Sequence, residues 1–203
     1  MTRVRTKVVL FFLFLFLINI NASDKAEVGK AAPDFNLTGS DGQYYALSNY
    51  KDKFIVLEWN NFDCPFVKKH YDSKNMQTLQ KKYTDKGVIW LTINSSAKGK
   101  QGFYPPYKLN NKIKEYEANI TGYLLDNGGT VGKKYGAKTT PHMYVINPEG
   151  ILIYAGGIDD IPSTDIDDIK KAKNYVSAAL DAAMEGKPVE VKTSQPYGCS
   201  VKY

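Results

Sequence analysis

Phe54-Ile55-Val56-Leu57-Glu58-Trp59-Asn60-Asn61-Phe62-Asp63-Cys64-Pro65-Phe66-Val67 is the stretch that decides how this chain folds. Phe54 to Leu57 is a continuous apolar run, extended by Trp59, of the kind that forms a strand buried on both faces. Asn60 to Asp63 is a short polar loop. Pro65 suits the first turn of a helix, where its missing N–H costs nothing. Cys64 is therefore predicted between a buried strand and a helix N-terminus. The unpaired N–H groups there carry partial positive charge and stabilise a thiolate, making it available as a nucleophile. Lys68, one turn on, and then Lys69 and His70 add positive charge near the sulfur, and Asp63 opposes it. The bland alternative is an inert buried cysteine packing as a small hydrophobe. The reactive reading requires a sulfur that is ionised and reachable by solvent.

Outward from this segment the pattern alternates between strands and helices. Asp41-Gly42 is a turn pair that predicts a hairpin in the lead-in. Phe66 to Lys86 reads as helix, with a kink at Asp72 to Asn75 and a stop at Gly87. Val88 to Ile93 is a second buried strand. The loop from Asn94 to Tyr107 is long for a compact domain, and such loops are often functional. A polar helix is predicted over Lys108 to Asn119, a short strand over Tyr123 to Leu125 and a short helix over Thr130 to Tyr135. Met143–Ile146 and Ile151–Tyr154 flank the turn Asn147-Pro148-Glu149-Gly150 and should form an antiparallel hairpin. The last helix is predicted from Thr164, with Thr164 and Asp167 as a capping-box-like pair. Its apolar stripe would run from Ile166 through Val176 and Leu180 to Ala183. The tail, Val189 to Tyr203, reads as extended. This order predicts an α/β fold with a parallel core sheet, covering helices and an antiparallel edge.

The N-terminus has a different character. Arg3, Arg5 and Lys7 precede an apolar run from Val8 to Ile18, followed by Asn21-Ala22-Ser23. That is the three-part pattern of a secretory signal over residues 1–22, and its apolar run is short for a membrane span of roughly 20 residues. The rest of the chain, 23–203, reads as one domain with an extended C-terminal tail. The 27 basic residues less those three leave 24 against 21 acidic ones, a balance of +3. No basic patch interleaved with aromatics stands out, which argues against nucleic acid as a partner. Export places the chain in a periplasmic or extracellular compartment where disulfides persist, and only the signal would touch a membrane.

Three segments together carry a family resemblance. Phe54 to Val67 resembles the active-site strand and loop of thioredoxin-fold proteins. Gly29-Lys30-Ala31-Ala32-Pro33-Asp34-Phe35-Asn36-Leu37 resembles the opening of redoxin domains, the peroxiredoxin-like group related to alkyl hydroperoxide reductase and thiol-specific antioxidant proteins. Thr139-Thr140-Pro141, ahead of the strand from His142, resembles the family's proline loop. The resemblance covers about residues 27–187. It implies a thioredoxin-like three-layer sandwich, a central mixed β-sheet flanked by helices, with Pro141 cis and facing Cys64. The departures bear on activity. Thioredoxins place a second cysteine three positions on, where this chain has Val67. Typical peroxiredoxins have Thr and Pro at the positions of Asn61 and Leu57, and a peroxide-polarising arginine. The only arginines here are Arg3 and Arg5. Asn61 could donate a hydrogen bond in place of the threonine. Glu58 matches the buried acid of thioredoxins; the competing reading is a strand-end carboxylate paired with a lysine.

Cys199 lies in the run Gln195-Pro196-Tyr197-Gly198-Cys199 and has three readings. It resolves an oxidised Cys64, it forms a permanent structural disulfide with Cys64, or it bonds between molecules. A Cys64–Cys199 bond would close a loop of about 136 residues and stabilise by roughly 4–5 kcal/mol in the chain-entropy model. His142, next to Pro141, either tunes the thiolate as acid or base or is an ordinary strand-start residue. His70 is expected packed or solvated on its helix. The cysteine spacing matches no zinc signature, and no cofactor is implied. The expectation is an extracytoplasmic thiol oxidoreductase acting on a protein disulfide or a peroxide. Cys64 and Cys199 would be its catalytic pair, and Asn61, Pro65, Thr140, Pro141, His142, Glu58 and Lys68 would support them. The alternatives are a non-enzymatic secreted binding module locked by Cys64–Cys199 and, third, a metal-delivery protein.

Overall fold

β3 (Ile55–Trp59) is the axis of the sheet, and all five of its residues are buried. Its side chains alternate between faces as the pleat requires. Ile55, Leu57 and Trp59 enter one core layer with Leu91, Ile93, Tyr144 and Ile146. Val56 enters the other with Trp90, Met143 and Val145. A strand apolar on both sides needs cover on both sides, and this dictates the layered arrangement. The computed structural model describes residues 25–203; the signal expected over 1–22 lies outside the described residues.

β3 pairs in parallel with β4 (Ile89–Asn94), which pairs in parallel with β5 (Gly122–Leu125). On its other side β3 runs antiparallel to β7 (His142–Ile146), which forms the expected hairpin with β8 (Leu152–Gly156). A second hairpin, β1 (Asn36–Gly39) and β2 (Tyr44–Ala46), turns at Asp41-Gly42 and joins β5. The seven-stranded order is β2-β1-β5-β4-β3-β7-β8. α1 (Pro65–Asp72), α2 (Asn75–Thr84), α3 (Pro106–Glu115) and α5 (Tyr175–Met184) cover one face through Val67, Tyr71, Met76, Tyr83, Leu109, Val176 and Leu180. α4 (Thr130–Tyr135) covers the other through Val131 and Tyr135. The mixed sheet flanked by helices is the architecture expected from the sequence. Two short strands outside it, β6 (Thr139–Thr140) and β9 (Cys199–Ser200), pair antiparallel.

Two helices differ from expectation. The kink at Asp72–Asn75 is a full break. The Ser73 hydroxyl donates back to the Lys69 carbonyl at 2.6 Å, closing α1, and Lys74 takes a left-handed φ of 62° before α2 starts. The last helix begins at Tyr175, not near Thr164. Its cap is Asn174, whose side chain accepts the Ser177 N–H at 2.8 Å. Upstream, Ile166–Lys170 is a single short 3₁₀ turn capped by Asp165, and Ile166 is 47% exposed. The local signal at Thr164 and Asp167 is overridden by long-range ties. Lys173 N–H donates to Asp160 at 2.8 Å, and Asp159 bridges to Asn174, so the intervening chain is held as a surface excursion.

Glu58 on β3 corrects one of its two readings: no lysine pairs with it. The side chain is fully buried, and its carboxylate accepts five hydrogen bonds from neutral donors. Oε1 accepts from Asn60 Nδ2 at 2.9 Å and Tyr71 OH at 2.8 Å. Oε2 accepts from Gln80 Nε2 at 3.1 Å, Trp90 Nε1 at 2.9 Å and Thr92 Oγ1 at 3.3 Å. A buried carboxylate is tolerated when its lone pairs are this fully used. The five donors come from the loop after β3, α1, α2 and β4, two of them from β4, so one side chain on β3 ties these elements together.

Two outcomes follow. Glu58→Gln turns an acceptor into a donor among donors, and stability should fall by about 2–4 kcal/mol. Thermal unfolding measures this; an unchanged or higher midpoint would show that desolvation of the carboxylate outweighs its bonds. Asn174→Ala should cost about 1 kcal/mol as a lost cap, while Thr164→Ala stays within about 0.5 kcal/mol. Urea titration of both variants separates the two helix starts, and the reverse ranking would restore the earlier one.

Candidate active site

Cys64 is the N-cap of α1, with extended backbone (φ −75°, ψ 126°) and Pro65 at the first helical position. Its N–H donates to the Asn61 carbonyl at 2.9 Å, and its own carbonyl accepts the Lys68 N–H at 2.9 Å. These bonds set the sulfur at the helix mouth. The thiol donates to the Thr140 carbonyl oxygen at 3.1 Å, and the Cys199 N–H donates to Sγ at 3.4 Å. The Thr140–Pro141 peptide is cis. Thr140 and Cys199 are directly paired between β6 and β9, so the register of two residues puts both contacts on one sulfur. The Thr140 hydroxyl is buried without a protein partner.

Cys64 is 0% exposed, which corrects the expectation of a solvent-reachable sulfur. Part of its enclosure is the C-terminal tail, whose Cys199 N–H reaches the sulfur. Ala155 N–H donates to the Lys192 carbonyl and Ser194 N–H to the Ala155 carbonyl, so the tail first lies along the free edge of β8. The Ser194 hydroxyl accepts the Gly157 N–H at 2.9 Å. The tail then crosses the site as β9, and Val201 N–H donates to Lys138. Tyr203 ends it, with its hydroxyl on the Ala137 carbonyl at 2.8 Å. Gly198 makes the crossing possible. Its φ is +134°, and a Cβ there would overlap the Thr140 carbonyl oxygen. Only glycine allows such an approach.

The other expected residues are not all turned to the sulfur. The Asn61 side chain accepts the Asp63 N–H at 2.9 Å and donates to the Gln101 carbonyl at 3.4 Å; it is the Asn61 backbone that holds Cys64. Lys68 is exposed, while Lys69 is buried with its ammonium near the Ile161 carbonyl and Ser163 hydroxyl. Asp63 accepts from the Tyr104 hydroxyl, which engages the carboxylate expected to oppose a thiolate. His142 accepts the Lys138 N–H on Nδ1 at 3.3 Å and lies 3.1 Å from the Tyr144 hydroxyl. Burial, with nearby Lys138, pulls His142 down to about 4, and burial, with nearby Lys69, pulls His70 to about 3, so both are neutral at physiological pH. Among the described residues no group of three His, Cys, Asp or Glu is placed to hold a metal ion. Sequence reasoning missed Tyr197, Gly198 and Asp159. The run Tyr197-Gly198-Cys199 held the signal, but nothing local says where a tail lands.

This sheet, with a cysteine capping its first long helix opposite a cis-proline loop, defines a thioredoxin-fold protein. Residues 28–155 match the AhpC/TSA family, and the chain belongs to it. Among curated proteins it is similar to the thiol-disulfide oxidoreductase ResA of Bacillus thuringiensis subsp. konkukian, 28% identical over 131 residues, which are 64% of this chain and 69% of that one. Among solved structures it is similar to an uncharacterized conserved protein from Geobacillus kaustophilus. That likeness has a TM-score of 0.73 at 32% identity and covers 87% of this chain and 92% of the other. The thioredoxin domain of a thiol-disulfide oxidoreductase from Bacteroides vulgatus shares the fold, with a TM-score of 0.51 at 16% identity over 72% of this chain and 98% of that one.

Burial, the hydrogen bond to Cys64 and the charge of Cys64 push the Cys199 thiol up to about 12. Only the thiolate is nucleophilic, and below its pKa that fraction grows about tenfold per pH unit. Modification of Cys199 by a small haloacetamide, followed by mass mapping, should accelerate with slope near one between about pH 7 and 10. A plateau inside that window would contradict the environment described.

Proposed function

We propose that this chain is an exported thiol-disulfide oxidoreductase in which Cys64 is the nucleophile, Cys199 resolves, and the substrate is a disulfide of another protein. The observation that carries the reading is the convergence on one sulfur of a helix N-terminus, the Thr140 carbonyl and the backbone of a second cysteine. Membership of the AhpC/TSA family and the similarity to a thiol-disulfide oxidoreductase support it.

The Cys64 thiolate attacks one sulfur of the partner's disulfide. A mixed disulfide forms and the partner's other sulfur leaves as a thiolate. With Cys64 held in the mixed disulfide its charge no longer opposes ionisation of Cys199, which gives its proton to solvent, attacks the Cys64 sulfur and expels the partner's second thiolate. Two electrons have passed to the partner, and the chain holds a Cys64–Cys199 disulfide. A partner thiol protein returns it to the dithiol by the same exchange in reverse. Disulfide exchange is favoured over peroxide reduction because residues 25–203 contain no arginine to polarise a peroxide. Export is supported by the basic, apolar and small-residue pattern of residues 1–22.

The test is trapping. The full chain, recovered from its compartment with acid quenching and blocked thiols, is run without reductant. Cys199→Ser should accumulate mixed disulfides joined through Cys64, and Cys64→Ser should accumulate none. Reduction of insulin should drop at least about 100-fold in Cys64→Ser. A Cys64→Ser variant as active as the parent, or a Cys199→Ser variant that traps nothing, would overturn the proposal.

A further inference from the structure

Tyr197 lies two residues before Cys199, and its surroundings have no part in the exchange chemistry. Its hydroxyl donates to Oδ1 of Asp159, which is 3% exposed, and lies 3.5 Å from His70 Nε2. His70 Nε2 is 3.9 Å from Asp159 Oδ2, and His70 Nδ1 is 2.8 Å from Asn75 Nδ2. Asp159 also accepts the Ile161 N–H at 3.0 Å. The Tyr197 ring meets Phe66 edge-on at 5.9 Å. Lys69, Asp160 and Tyr154 are the other titratable groups acting on this cluster. His70 and Phe66 belong to α1, the helix that Cys64 caps, so the cluster joins that helix directly to the strand that carries Cys199.

We infer that Tyr197, anchored by Asp159 and His70, is a positioning residue for the cysteine pair: it sets Cys199 against Cys64 and keeps Cys64 closed to large reagents. The inference rests on the redox reading of the two cysteines. The Tyr197 hydroxyl is turned to Asp159 and His70, not to either sulfur. It acts through Gly198, which has no side chain to block the Thr140 carbonyl and so transmits the anchor directly to Cys199. A tail free to move would offer Cys199 at an effective concentration of only millimolar order. A tail fixed on both sides of Cys199 holds it far above that, which raises the equilibrium constant for closing the bond.

The experiment equilibrates the full chain in glutathione buffers and measures the fraction of Cys64–Cys199 disulfide by mass. Cys64 attacks glutathione disulfide and releases one glutathione thiolate. Cys199 then attacks the Cys64 sulfur and releases the second, so two electrons pass to glutathione. Tyr197→Phe and Asp159→Asn should each lower the closure constant about tenfold, the order expected for a hydrogen bond to a charged group. The double variant should be no worse than the worse single, because both changes act on the same bond, Tyr197→Phe by removing its donor and Asp159→Asn by removing the charge on its acceptor. In a Cys199→Ser background the same changes should speed labelling of Cys64 by a bulky maleimide several-fold, with melting temperature within a few degrees of the parent. Should Asp159→Asn fail to fold, Tyr197→Phe on the surface tail decides alone. Parental closure and labelling in the variants would overturn the positioning role. A parent chain that forms no Cys64–Cys199 bond at all would overturn the resolving role of Cys199 and this inference with it, whereas normal closure with no trapping of protein partners would leave this inference standing and remove only the proposed substrate.

Discussion

A carboxylate sits at the centre of this fold, and much else follows from having to accommodate it. Glu58 is completely enclosed, on the strand that leads to Cys64, and no cation neutralises it. Desolvating such a group costs several kcal/mol unless its lone pairs are all engaged. Five neutral donors do this, and each must be aimed: a tryptophan from β4, a tyrosine from α1, a glutamine from α2, a threonine and an asparagine. Tyr71 and Gln80 also bond each other at 3.1 Å, so the donors are mutually ordered. Asn60, held by Glu58 on one side, accepts from Tyr123 on the other at 2.9 Å. The loop that delivers Cys64 is thus framed by bonds made several residues earlier. Its final geometry is set by Asn61, Asp63 and the packing of Phe62 against Tyr71, Tyr116 and Tyr123.

The second organising feature is the tail. An open β8 edge would expose unpaired backbone groups, and the tail occupies it before crossing the site. Edge protection and site closure are therefore one structural act. The chain end is stitched at Ser194, Tyr197, Cys199, Val201 and Tyr203 to elements far apart in sequence. In this arrangement Cys64 is shielded, with the Cys199 N–H of β9 on its sulfur.

Particular residues show how far local reasoning reached. The strand around Phe54–Trp59 was legible because an unbroken apolar run has few other homes, and the turns at Asp41-Gly42 and Asn147–Gly150 because backbone chemistry selects their residues. Cys64 at a helix mouth followed from the same logic through Pro65. The start of the last helix was misread because Thr164 and Asp167 imitate a cap, while the deciding bonds, from Asp159 and Asp160 to Asn174 and Lys173, span a surface excursion. Glu58 was half legible: its place on a buried strand was plain, but a lysine partner was as plausible from sequence as the five neutral donors that surround it.

What the sequence determined by itself is local or compositional: the order of strands and helices, the layered α/β class, the family, and the cysteine set where a strand gives way to a helix. Apart from the family, which rests on the resemblance of three motifs, these depend on periodicity, turn chemistry and steric limits acting within a few residues. Tertiary structure alone decided which atoms meet that cysteine. Thr140 and Cys199 lie 76 and 135 residues away, and only the closing of the sheet and the path of the tail bring a carbonyl and an N–H onto the same sulfur. Contacts across such separations leave no periodic trace in the chain, because their energy belongs to the packed whole and not to any segment of it.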